Sequence, residues 1–208
     1  MIYEDYIRKI LKRRKLLPQE VGGNDAGFIH HGEAYYLEVK NKTAPDFGQK
    51  RLKWNEEEGW YWAKEDIVTG LYDRYKILND INPKFIPKRH SILEEEITLK
   101  DKIYNQKQFE KGGIKLGDLD ILYEYYARKE CYYIQVEGLG FFYLARDVAN
   151  LQVPQFCPVL MARLRAKTHH SRPIYAYSFF VVIQTKKKPE KSPFDLEEKV
   201  GLFPPIKP

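Results

Sequence analysis

The sequence predicts an α/β (α+β) fold, a mixed β-sheet core flanked by helices with extra strands toward the C-terminus. Three observations carry this. Tyr3 to Leu17 holds Ile7, Ile10, Leu11 and Leu17 at helical spacing, with Pro18 as a stop. Period-two segments recur: AYYLEVK from Ala34 to Lys40, Cys131 to Glu137 and Leu160 to Thr168. And 43% hydrophobic residues in 208 suffice to bury a core.

The elements follow in order. After the first helix, Gly22-Gly23-Asn24 makes a turn. A strand from Gly27 to His30, a tight turn at His31-Gly32 and a strand from Ala34 to Lys40 form a hairpin. A helical stretch is expected from Phe47, running with breaks toward Leu78. Residues 79–113 are polar and irregular, with Pro83, Pro87 and charge runs. Strands are then expected at Asp120 to Tyr126, Cys131 to Glu137, Phe141 to Leu144, Leu160 to Thr168 and Ile174 to Thr185. The organisation read from this is 1–80 as the first part of the core, 81–116 as an insertion or linker, 117–188 as a β-rich part completing the sheet, and 189–208 as an extended arm.

The net charge is +6, from 35 Lys+Arg against 29 Asp+Glu. Its distribution says more than its sum. No acid occurs from Val148 to Pro189, a stretch carrying Arg163, Arg165, Lys167, Arg172 and Lys186 to Lys188. On a strand, Arg163, Arg165 and Lys167 share one face and Ala162, Leu164 and Ala166 the other, which suits a strand lying over phosphates. The competing reading is an edge strand guarded by charge. A second cluster is Arg8, Lys9, Lys12, Arg13, Arg14 and Lys15. No apolar run approaches the roughly 18 residues of a membrane helix. Two cysteines, Cys131 and Cys157, point to buried apolar roles in a reducing, cytoplasmic setting.

Chemistry concentrates between Gly22 and Gln49. Tyr36, Glu38 and Lys40 share one face of their strand, while Tyr35, Leu37 and Val39 face the core. Asp25 precedes the partner strand and can stand opposite. Two carboxylates so placed make a hard-oxygen site for Mg²⁺ or Mn²⁺, and the adjacent ammonium can hold a water or stabilise charge on a phosphate.

This arrangement resembles the PD-(D/E)xK nuclease superfamily, whose signature is an acid at the start of a hairpin followed by Glu-x-Lys on the next strand. Asp25 with Glu38-Val39-Lys40 matches it, with Asn24 where proline often stands. Many members carry a glutamate early in the first helix and a glutamine opening the helix after the Glu-x-Lys strand. Glu4 and Gln49 occupy those places, so the likeness covers about the first 55 residues. It implies a restriction-endonuclease-like core and hydrolysis of nucleic-acid phosphodiesters, with DNA favoured and RNA open. Asp25, Glu38 and Glu4 would bind the metal, Lys40 would position water, Gln49 would support the site, and Arg163, Arg165, Lys167 and Arg172 would contact nucleic acid. Double-strand cutting from one site per chain would call for a homodimer. The alternative is a non-catalytic DNA-binding protein or inactive accessory subunit. A rival acid pair, Asp120 with Glu137, lies on the segment GDLDILYEYYARKECYYIQVEG.

Overall fold

The computed structural model describes residues 2–19, 25–41, 46–81, 100, 103–104, 107, 114–116, 119–169 and 176–197. The fold is mixed α+β with two sheets. It divides into two compact units, one built from 1–45, 118–159 and 187–208, the other from 46–117 and 160–186. The units interleave along the chain, whereas the sequence reading divides it into consecutive blocks.

The first unit opens with α1 (Tyr3–Arg13), which buries Ile7, Ile10 and Leu11. Glu4 and Asp5 lie in its first turn and Lys12 and Arg13 in its last, each sign matched to the helix dipole. Strands β1 (Ala26–His30) and β2 (Glu33–Lys40) pair antiparallel, Ala26 opposite Leu37 and His30 opposite Glu33. Between them His31 and Gly32 have φ of 50° and 85°, the two left-handed positions of a two-residue hairpin turn. β2 then pairs parallel with β6 (Cys131–Val136), which α4 (Asp120–Ala127) precedes, and β7 (Gly140–Tyr143) completes the order β1-β2-β6-β7. One core joins the α1 stripe to Ala26, Phe28, Leu37, Val39, Tyr133 and Phe141. Side-chain alternation sends Glu38 to the opposite face, where Tyr126 of α4 meets it.

The second unit holds a five-stranded sheet of order β4-β3-β9-β8-β5. Its strands are β3 (Asp46–Asn55), β4 (Gly59–Trp62), β5 (Ile114–Leu116), β8 (Val159–His169) and β9 (Ala176–Lys187). Helices α2 (Ile67–Arg74) and α3 (Ile77–Ile81) follow β4. Asp66 caps α2, accepting from the Val68 and Thr69 amides while the Thr69 hydroxyl accepts from the Asp66 amide.

Two expectations are corrected. The helix expected from Phe47 is a β-hairpin followed by two short helices. Leu52, Trp60 and Trp62 are buried in period two, and Gly59, at φ 74°, closes the loop after Asn55, whose side chain accepts from the Glu58 amide at 2.7 Å. The strand expected at Asp120 to Tyr126 is α4. Ile121, Leu122 and Tyr126 recur on one helical face, and packing of that face overrides the strand preference of tyrosine and isoleucine.

The arm after Lys188 lies against the first unit, with Ser192, Asp195 and Leu196 buried. The Phe141 amide donates to the Phe194 carbonyl and the Ser192 amide to the Leu139 carbonyl, each at 2.7 Å. Gln135, fully buried, donates to Asp195 at 2.8 Å and to the Tyr3 hydroxyl at 3.0 Å, and accepts from the Leu196 amide. Gly140 permits this approach. Its φ is 97°, and a Cβ there would stand 2.4 Å from the Phe194 carbonyl oxygen. Gly140→Ala is expected to lower stability by about 3 kcal/mol, since left-handed strain alone costs of order 1–3 kcal/mol. Denaturant unfolding measures the loss, and limited proteolysis should show cleavage near Lys188 and Lys191 appearing first.

Candidate active site

The hairpin register builds the site. With Ala26 opposite Leu37, the residue before Ala26 meets the residue after Leu37, so Asp25 stands across from Glu38 on one face. Asp25 Oδ2 accepts from the Val39 amide at 3.1 Å, which draws the carboxylate over β2. From α1, the Arg8 guanidinium donates to the Asp25 carbonyl at 2.6 Å and fixes the backbone there.

Glu38 is only 5% exposed, on an inner strand. Its Oε1 accepts from the Tyr126 hydroxyl at 3.1 Å and is ion-paired with the Lys40 ammonium. Lys40 Nζ also lies 3.9 Å from Asp25 Oδ2. Thus Asp25, Glu38 and Lys40 come together as their spacing predicts. Burial works to lower the Lys40 pKa, but the Glu38 charge and hydrogen bond, with Asp25 behind them, outweigh it and hold the amine above its ordinary range. Tyr126 is pushed well above the usual phenol value, by burial first and then by the Glu38 charge.

Glu4 lies beside this group but is tied elsewhere. Its carboxylate pairs with Arg8 at 2.8 Å. Its pKa is raised, first by burial and next by the negative charge of Asp25, with a smaller contribution from Glu38. Among the described residues, no three or more His, Cys, Asp or Glu side chains are grouped to hold an ion. Asp25 and Glu38 therefore stand as a pair of acids, with Glu4 in their field.

The donor set fits a hard cation. Two carboxylates with waters and a substrate phosphate are a common way to hold Mg²⁺. The nearby Cys131 thiol is pushed up to about 12, chiefly by burial and then by Glu38, so it stays protonated and offers no thiolate for a soft metal. His30 and His31 pack ring to ring at 4.0 Å at the hairpin's far turn.

The other expected residues are placed differently. Gln49 lies on β3, in the second unit, and not at a helix start. Arg163, Arg165 and Lys167 lie on β8, between β9 and β5 in the sheet order, just beyond the Leu160 to Ala162 stretch that pairs with β5. Arg163 and Arg165 are half-buried, and Arg165 pairs with Asp46 at 3.6 Å. Arg172 lies outside the described residues. Of the rival pair, Asp120 opens α4 instead of a hairpin strand, and Glu137 follows β6, its amide bonded to the Lys40 carbonyl at 2.8 Å. Cys157 is exposed, against the buried role expected of it.

Sequence reasoning missed Tyr126 and read Arg8 only as part of a basic cluster, not as a partner of Asp25. Reading 120–126 as a strand hid Tyr126, because it reaches Glu38 only from a helix packed across the sheet.

The chain matches no family model, no curated protein and no solved structure. Among the described residues no helix is long and apolar enough to cross a membrane.

The ion pair yields a stability prediction. Lys40→Met leaves Glu38 buried against Tyr126 alone and is expected to cost about 3 kcal/mol, while Glu38→Gln in the same chain should recover part of it in a double-mutant cycle. Because the folded pKa of Lys40 is raised, its contribution is present below the ordinary 10.5 and is lost as pH rises through the higher folded value. The gap in unfolding free energy between wild type and Lys40→Met should hold from neutral pH to 10.5 and narrow above it.

Proposed function

We propose that this protein is a metal-dependent nuclease of the PD-(D/E)xK type, hydrolysing nucleic-acid phosphodiesters, with DNA as the favoured substrate and endonucleolytic cutting as the favoured mode. The observation that carries the reading is the meeting of Asp25, Glu38 and Lys40 on one face of the β1–β2 hairpin. Placement of β2 inside a mixed sheet, with a helix leading into the parallel strand beside it, agrees with a restriction-endonuclease-like core.

Mg²⁺ or Mn²⁺, when bound, would polarise the phosphodiester and lower the pKa of a coordinated water. Asp25 and Glu38 supply the carboxylate oxygens for it. Hydrolysis would join a water oxygen to phosphorus and break the bond to the leaving sugar oxygen, with the water's proton lost to solvent and one taken up from solvent by that oxygen. Lys40, permanently charged at neutral pH, orients the water and offsets charge on the pentavalent phosphorus. Tyr126 holds Glu38 in the rotamer that faces Lys40. Arg8 fixes the backbone of Asp25 and neutralises Glu4.

A second reading is a DNA-binding protein without catalysis. It draws on the Glu4–Arg8 pair, which engages one expected metal ligand, and on Gln49 lying in the other unit. Supercoiled-plasmid nicking separates the two. Cutting is expected with Mg²⁺ or Mn²⁺ and not with EDTA, and Lys40→Ala or Asp25→Asn should lower the rate at least 100-fold, in line with the usual loss of electrostatic stabilisation. Retention of DNA without cutting under every metal would favour the second reading. Loss of cutting in Glu137→Ala, with Glu38→Ala unaffected, would place the site elsewhere.

A further inference from the structure

We infer that one face of the five-stranded sheet, carried by β3, β4 and β9, is a binding surface for single-stranded nucleic acid, with Arg51 and Lys53 on successive phosphates and Tyr61 stacked on a base. The surface lies within the second unit and goes beyond the nuclease reading, which concerns the first.

Strand register places these side chains together. Lys53 stands directly opposite Tyr61 on β4, and Arg51 opposite Phe180 on β9. Arg51 and Lys53 are two positions apart, so they share that face, about 7 Å from each other along the strand. Leu52, between them, turns the other way and pairs with Trp62 on one side and Phe179 on the other. That opposite face is core. Leu52, Trp60, Trp62, Phe179, Val181 and Ile183 are buried on it, and Tyr72 of α2 sets its ring 5.8 Å from that of Trp62. An antiparallel sheet sealed on one side commonly leaves the other to solvent.

The open side suits an unpaired strand. Arg51 and Lys53 are exposed, and among the described residues no carboxylate pairs with either. Their separation along β3 is close to that of neighbouring phosphates on an extended chain. Tyr61 is half-buried, so the sheet holds its ring in direction while part of it stays open. Such a ring stacks on a base that has no partner strand. Arg165 reaches the same face from β8, because it pairs with Asp46, which stands opposite Gln184, four residues along β9 from Phe180. Val182, between those two, is buried, which confines the open part to the end bearing Arg51, Lys53 and Tyr61. The exposed Glu56, Glu57 and Glu58 of the β3–β4 loop bound it on the far side. Cations on a sheet also guard an edge against pairing. β3 has a neighbour on each side, so that need does not account for Arg51 and Lys53.

The test reads binding of a short fluorescein-labelled oligo-dT strand to the full chain by anisotropy, in EDTA and at several salt concentrations. Wild type is expected to bind the strand about tenfold more tightly than a duplex of equal length, since only the strand offers a free base to stack. Arg51→Gln with Lys53→Gln should weaken binding about 100-fold at low salt, roughly tenfold for each charge-assisted contact. The slope of log K against log salt should become shallower by about 1.4, or about 0.7 for each phosphate. Arg51→Lys with Lys53→Arg should restore both values. Tyr61→Leu should weaken binding about tenfold with the slope unchanged, and Tyr61→Phe should bind as wild type does. Wild-type affinity and slope in the double glutamine variant, wild-type affinity in Tyr61→Leu, or equal binding of strand and duplex would each overturn the surface. The nuclease reading fails separately. If no metal supports plasmid cutting and these losses still appear, the surface stands and the hydrolysis does not. If Lys40→Ala abolishes cutting while the double glutamine variant binds oligo-dT as wild type does, only the surface falls.

Discussion

A carboxylate buried on an inner strand is the constraint around which the first unit is arranged. Glu38 is 5% exposed, and an ionised acid so placed needs compensating charge and hydrogen bonds. Lys40 supplies the charge from two residues along the same strand, and Tyr126 supplies the hydrogen bond from α4. Both partners depend on sheet geometry. Lys40 shares the face because strand side chains alternate. Tyr126 is in reach because β2 pairs parallel with β6, which requires a long connection, and that connection ends in α4. Replacing the three polar groups with apolar ones of similar volume would make as good a core. Their presence at some cost to stability is what the proposed site for an anionic substrate and a hard cation would require.

The hairpin was the most legible part of the chain. Its turn residues, alternation and register were all readable from residues 25–40, and the structure keeps Asp25, Glu38 and Lys40 together. Two other segments misled. In WNEEEGWYW the three glutamates between tryptophans resemble a solvated helix face, yet they are the loop of a hairpin whose tryptophans alternate. In DILYEYYA the isoleucine and the three tyrosines prefer strands, and packing of Ile121, Leu122 and Tyr126 on one face makes the segment helical. The second error cost more, since α4 carries Tyr126 to Glu38. Gln49 was assigned by position in a motif order, and position fixed neither its secondary structure nor its unit.

The second unit is assembled from two separate stretches, residues 46–117 and 160–186, joined where β3 pairs with β9. The first stretch leaves directly after β2 and the second after β7. The chain thus interrupts the smaller sheet between β2 and its parallel neighbour β6. That separation explains why no local pattern announces the β2–β6 pairing: partners such as Glu38 and Ile134 are adjacent in space but lie 96 positions apart.

The bond between the Tyr3 hydroxyl and Glu197, 2.6 Å across 194 positions, joins the first helix to the C-terminal segment. Gln135 and Asp195 extend that junction into the centre of the sheet. During synthesis, α1 and the hairpin emerge from the ribosome long before residue 197 does. The inner face of the growing sheet must therefore wait, incompletely sealed, until residues 192–197 have been made. Their emergence from the exit tunnel, more than any early local event, sets the moment at which this unit becomes whole.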